Sequence, residues 1–141
     1  MALTQTATNV FKTGLMNGTY NFGTDTFKIA LYTGAATLDA TTGAYTATNE
    51  ASGGSYVAGG QTLTVTTTPT VGVTGGSVAY VSFANVTWTG AITARGALIY
   101  KSGGGNPTVC VLDFGSDKTS VNTFEVQFPA ATNTSAIIRI A

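Results

Sequence analysis

The sequence contains no histidine, one cysteine and few charges: six basic and six acidic side chains among 141 residues. Histidine is the usual proton carrier near neutral pH and a frequent transition-metal ligand, so its absence weighs against an enzyme and against a zinc or copper site. Cys110 has no second cysteine with which to close an intrachain disulfide. It lies in the apolar run Thr108-Val109-Cys110-Val111-Leu112 and reads as a small buried hydrophobe. Lys12, Lys28, Arg95, Lys101, Lys118 and Arg139 are scattered singly, without the clustered positive charge that a phosphate backbone requires. Nucleic acid is therefore not an expected partner. No run approaches the ~18 apolar residues of a membrane helix, and no membrane partner is expected. The segment Met1-Ala2-Leu3-Thr4-Gln5-Thr6 lacks a basic stretch followed by an apolar one, so no signal peptide is expected and the chain reads as soluble.

What the sequence does hold is a core. Hydrophobic residues make up 43% of it, with seven Phe and six Tyr, which excludes a disordered chain. Length and composition predict one domain over residues 1–141, divided into an N-terminal segment (1–23) with a short helix and a β-sandwich (24–141). The helix is placed within Gln5 to Asn17, with Phe11 and Leu15 on its docking face and Gly18 as its end. From Thr24 the period changes to two. Phe27, Ile29 and Leu31 alternate with Lys28, Ala30 and Tyr32, predicting a half-buried strand. Residues Thr33 to Gly60 are small and polar, predicting a long connection with one short strand near Tyr45 to Asn49. Further strands are predicted over Gln61–Thr67, Ser77–Phe83, Val86–Trp88, Ile92–Lys101, Thr108–Phe114, Asn122–Phe128 and Ser135–Ala141. The glycines of Ser102 to Pro107 form a hairpin tip. Seven or eight short strands imply an all-β, single-domain, jelly-roll-like β-sandwich with a short N-terminal helix.

No motif in the chain carries chemistry. Asp113-Phe114-Gly115 spells a kinase metal-binding triplet without the phosphate loop, strand lysine or catalytic loop that would accompany it, and reads as a strand entering a turn. Asp113 and Asp117 supply only two carboxylates where calcium wants six or more oxygens; a polar turn with Asp117 pairing Lys118 or capping backbone donors explains them. Asp25, Asp39, Glu50, Asp113, Asp117 and Glu125 include no pair marked for glycoside hydrolysis. Trp88, within Val86-Thr87-Trp88-Thr89, reads as core or interface packing. The sequons at Asn17, Asn85 and Asn133 carry no meaning without secretion. No catalytic, cofactor-binding or metal-ligating residue is assigned, and no cofactor is expected.

The segments Thr24 to Thr33, Gly59 to Val65, Ala94 to Tyr100 and Val111 to Lys118, with the Ile-rich stretch Ala136 to Ile140, together resemble the capsid cement (decoration) proteins of tailed phages, short-tailed phages among them. The resemblance implies a jelly-roll protein on the capsid exterior, made in the host cytoplasm, that clamps adjacent major capsid protein subunits as a homodimer. It brings no residue-level contact motif. From the residues themselves, the N-terminal segment and the Thr33–Gly60 connection are the candidate contact regions, being long, rich in small residues and expected to order on binding. The alternative is a tail-fibre or head-fibre tip that binds a host glycan, which calls for exposed rings from Trp88 or the tyrosines.

Overall fold

The period-two alternation is realised as antiparallel strands throughout. The computed structural model describes residues 2–71 and 76–141. In chain order the elements are β1 (Thr6–Ala7), α1 (Asn9–Asn17), β2 (Phe27–Tyr32), β3 (Gln61–Thr62), β4 (Val65–Val71), β5 (Ala79–Phe83), β6 (Val86–Thr89), β7 (Thr93–Lys101), β8 (Thr108–Thr119), β9 (Thr123–Val126) and β10 (Ile138–Ile140). They form an all-β sandwich with one short helix. A five-stranded sheet of order β1-β8-β7-β2-β3 faces a three-stranded sheet, β10-β5-β4, and a two-stranded ribbon, β6-β9.

Cross-strand register sorts the side chains. Ile29 lies opposite Ile99 and Ile99 opposite Cys110, while Ala30 lies opposite Leu98 and Leu98 opposite Val111. The first row faces the main core, where Phe27, Ile29, Leu31 and Ile99 meet Val81, Phe83, Trp88, Phe124 and Val126 from the smaller sheets. Phe22 stacks on Phe27 at 4.4 Å between ring centroids, and Phe83 tilts against both. The second row faces the opposite way and is also buried.

That second burial corrects the half-buried strand expected at Phe27–Tyr32. Ala51 and Tyr56 pack with the main core, but the preceding residues 33–50 fold back over the outer face of the five-stranded sheet and build a second apolar cluster. It contains Ala30, Tyr32, Ala36, Leu38, Leu98, Tyr100 and Val111, with Leu3 and Tyr45 packed against it. The expected strand near Tyr45–Asn49 is absent; the backbone pairing of this connection is limited to isolated bridges, Leu38 to Leu3, Ala44 to Pro107 and Glu50 to Tyr32.

Other boundaries shift for identifiable reasons. The helix begins at Asn9 rather than Gln5 because Thr6 and Ala7 are drawn into a ladder opposite Val111 and Cys110. Thr8, fully buried, caps it by accepting from the Phe11 amide, and Gly18 ends it at φ 72°. The strand expected over Gln61–Thr67 divides at Leu63–Thr64, because the chain changes sheets there: β3 pairs with β2 and β4 with β5. The strand from Thr108 runs on to Thr119 instead of turning at Asp113-Phe114-Gly115. The ladder absorbs that triplet as a bulge, with register passing from Gly96 opposite Asp113 to Ala94 opposite Lys118. Asp113 pairs with Arg95 at 3.1 Å. The anticipated Asp117–Lys118 pair is not formed among the described residues; the other ion pair there is Lys101 with Asp25, at 3.2 Å.

Candidate interaction surface

The outer layer made by residues 33–60 is held down by one carboxylate. Glu50 accepts hydrogen bonds from the hydroxyls of Tyr45 (2.7 Å) and Tyr56 (2.5 Å) and from the Gly59 amide (2.7 Å). The Tyr56 hydroxyl also accepts from the Leu31 amide at 2.9 Å, tying this hub to β2. Tyr100 donates to the Gly59 carbonyl at 2.6 Å and Tyr32 to the Thr46 carbonyl at 2.6 Å. The Tyr45 ring stacks on Tyr100 at 4.9 Å. Small residues around these rings let the backbone lie close to the sheet, while the phenols satisfy the polar groups thereby buried.

The start of the N-terminal region is bonded to the 33–60 connection, while its helix docks on the main core through Phe11. Thr4 donates its amide to the Leu38 carbonyl and Leu38 donates to the Ala2 carbonyl, both at 2.9 Å; Asn9 donates to the Ala40 carbonyl at 2.8 Å. Both regions are therefore fastened within the domain, contrary to the expectation that they order only on binding. The signal missed in the sequence was the spacing of Leu38, Tyr45, Glu50 and Tyr56 among small residues, which has no helix or strand period.

The phenols of the hub resist ionisation. Burial pushes the Tyr45 and Tyr56 hydroxyls well above the ordinary tyrosine value, and their hydrogen bonds to Glu50 push the same way. Tyr32 and Tyr100 are raised by burial first and by the Glu50 charge second. Tyr20, in the main core, is pushed up to about 12 by burial. Raised folded-state values mean that the folded protein holds these protons more tightly than the unfolded chain does. The stabilisation is complete below the unfolded tyrosine value of roughly 10 and drains away as pH climbs above it. Tyrosinate absorbance and loss of the β circular-dichroism signal are thus expected in one shared alkaline transition. Ionisation of several tyrosines with the β signal intact would contradict this.

The remaining candidates are dispersed. Trp88, 2% exposed, packs in the core against Tyr56 and Phe124, and no tyrosine is exposed. Cys110 is buried, and burial pushes its thiol up to about 12. The acids have separate partners. Asp25 accepts from the Asn21 amide and then Lys101, Asp39 from Thr41, Asp113 from the Gly115 amide and then Arg95, and each carboxyl is held below its ordinary value. Glu125 accepts from Gln127, and Asp117 is exposed. Among the described residues, no three His, Cys, Asp or Glu side chains gather as a metal site. Among the described residues, the large exposed apolar side chains are Val10 and Met16 on α1, Val57 in the outer layer, Val121 after β8 and Ile140 on β10. Between α1 and the three-stranded sheet runs a groove of about 360 Å³, whose walls include Leu15, Pro69, Val81, Ile138 and Ile140. What the molecule offers is shaped, weakly charged surface. No protein-family model, curated protein or solved structure matches the chain.

Proposed function

We propose that this chain is a structural protein of a tailed-phage virion that binds the outside of the capsid lattice and cements adjacent major capsid protein subunits, acting as a homodimer. The observation that carries this reading is the outer layer, the connection of residues 33–60 with residues 2–9 bonded to it, fastened through Glu50 and Leu38 before any partner arrives. A contact protein gains affinity when its surface is already ordered, because less conformational entropy is lost on docking. The composition suits such a role, since a chain of formal net charge zero meets little long-range repulsion when it docks on a shell. Contacts of modest strength accumulate once each copy spans two subunits of a repeating lattice. The resemblance of five segments to phage cement proteins supplies the partner. A glycan-binding fibre tip is not favoured by any particular feature, since Trp88 is buried in the core and no tyrosine is exposed.

The test is to mix the protein with empty capsids of its phage and image them. Density on the shell exterior at lattice symmetry axes is the expected result. Density confined to the tail would overturn the proposal.

A further inference from the structure

We infer that the outer edge of β9, which pairs with no strand among the described residues, accepts an extended segment of a partner polypeptide as an added antiparallel strand. The β8 and β9 strands are consecutive yet belong to different sheets, β8 pairing with β7 and β9 with β6. They diverge from Ser120 and leave between them a wedge of about 440 Å³, lined by Phe114, Phe124 and Val126 beside Thr119, Thr123 and Glu125. On the β8 side, β1 pairs with Cys110 and Val111, and among the described residues no strand pairs with the outer edge of β8 beyond the bond from the Asp113 amide to Gln5.

Ladder parity says which backbone groups point into this opening. The Gly90 amide bonds the Asn122 carbonyl at 2.7 Å, and the register continues as Trp88 opposite Phe124 and Val86 opposite Val126. In an antiparallel pair, hydrogen-bonded and non-hydrogen-bonded positions alternate. Phe124 and Val126 therefore spend their backbone groups on β6, while those of Thr123, Glu125 and Gln127 face away from it. Their side chains are exposed. Donors and acceptors repeating every two residues, about 6.8 Å apart, are the complement of an extended peptide backbone and not of a sugar or a nucleotide. The wedge beside them adds side-chain specificity. An added strand would place alternate residues against Phe114, Phe124 and Val126, so those residues should be apolar or β-branched, with polar residues between them. A basic residue opposite Glu125 would favour the antiparallel pairing further. The inference does not rest on the capsid reading; it specifies the chemistry of a partner segment, whichever protein carries it.

The experiment uses the full-length, isotope-labelled chain and a capped synthetic peptide copying Ala84–Gly90, an alternating segment that already suits the other edge of β9. Amide shifts are expected at Thr123, Glu125 and Gln127 on titration. Glu125→Pro removes an outward donor while leaving the β6 ladder intact, and should weaken binding about tenfold. Two further peptides, N-methylated on either alternate set of amides, keep the test decisive should that variant fail to fold: one set should abolish binding and the other should not. No shift at millimolar peptide, or equal binding by both methylated peptides, overturns the inference. So do shifts at these amides that grow with protein concentration alone, which would assign the edge to a second copy.

Discussion

Glu50→Ala is expected to cost about 3 kcal/mol and to lower the melting temperature by roughly 10 °C. Three donors converge on this carboxylate, and two of them, the Tyr45 and Tyr56 hydroxyls, sit on half-buried rings. Removing an acceptor while its donors stay buried costs more than the hydrogen bond itself contributes, because the donors have been desolvated for nothing. The damage should be local first. The Tyr56 hydroxyl also accepts from the Leu31 amide and its ring packs on Trp88, so its displacement reaches β2 and that corner of the main core, while the Phe27–Phe83 contact is left in place. Hydrogen exchange should therefore accelerate most at Leu31, Ala51 and Gly59, and least in β8. Glu50→Gln retains one acceptor oxygen and should lose about half as much. Uniform acceleration across all strands, or a melting temperature unchanged in Glu50→Ala, would show that the layer is held by its apolar contacts alone. The same variant bears on the proposed function, since a loosened outer layer should dock on capsids more weakly by whatever ordering it must then undergo.

Much of the sandwich was legible in the sequence, because period-two alternation is a local signal. Phe27, Ile29 and Leu31 do face one core, and Phe124 and Val126 do face inward while Glu125 and Gln127 face out. The helix end at Gly18 was legible too, since the left-handed conformation there suits glycine. The outer layer was not legible. Its elements are Leu38, Tyr45, Glu50 and Tyr56, spaced irregularly, and what gives them meaning is a sheet face whose second burial is not encoded in any one strand. Ala30 and Tyr32 read as the outward side of an alternating strand until the connection that covers them is in view. The sheet change at Leu63–Thr64 was hidden for a related reason. Leu63 and Val65 keep the alternation of one strand, and only the partners differ, β2 before the break and β5 after it. The interaction surface was legible only as an absence of chemistry. Which edges stay open is decided by pairing between distant strands.

Gly60→Ala should be the most damaging single-methyl change in the outer layer. Gly60 closes the connection where it returns to the sheet and begins β3, at φ +76°. A side chain there meets two obstacles. The left-handed conformation costs a non-glycine residue about 1 kcal/mol. The new Cβ would also overlap the Ile29 carbonyl, which is backbone of the central strand β2 and has no rotamer through which to yield. Relief requires β3 to separate from β2, which breaks the pairing of Lys28 with Thr62 and Ile29 with Gln61 and draws Gly59 away from both Glu50 and Tyr100. Loss of more than about 3 kcal/mol is expected, enough to leave the layer undocked at ambient temperature. Gly104→Ala isolates the conformational part of the effect. Gly104 has φ +64° in the hairpin tip with nothing within 4 Å of an added Cβ, so it should lose only the ~1 kcal/mol of strain. Chemical denaturation of the two variants measures the difference. Equal losses would mean that the contact between Gly60 and β2 does not hold the layer, and that its attachment rests on its other bonds and apolar contacts, the Glu50 hub and the Leu38 bridge among them.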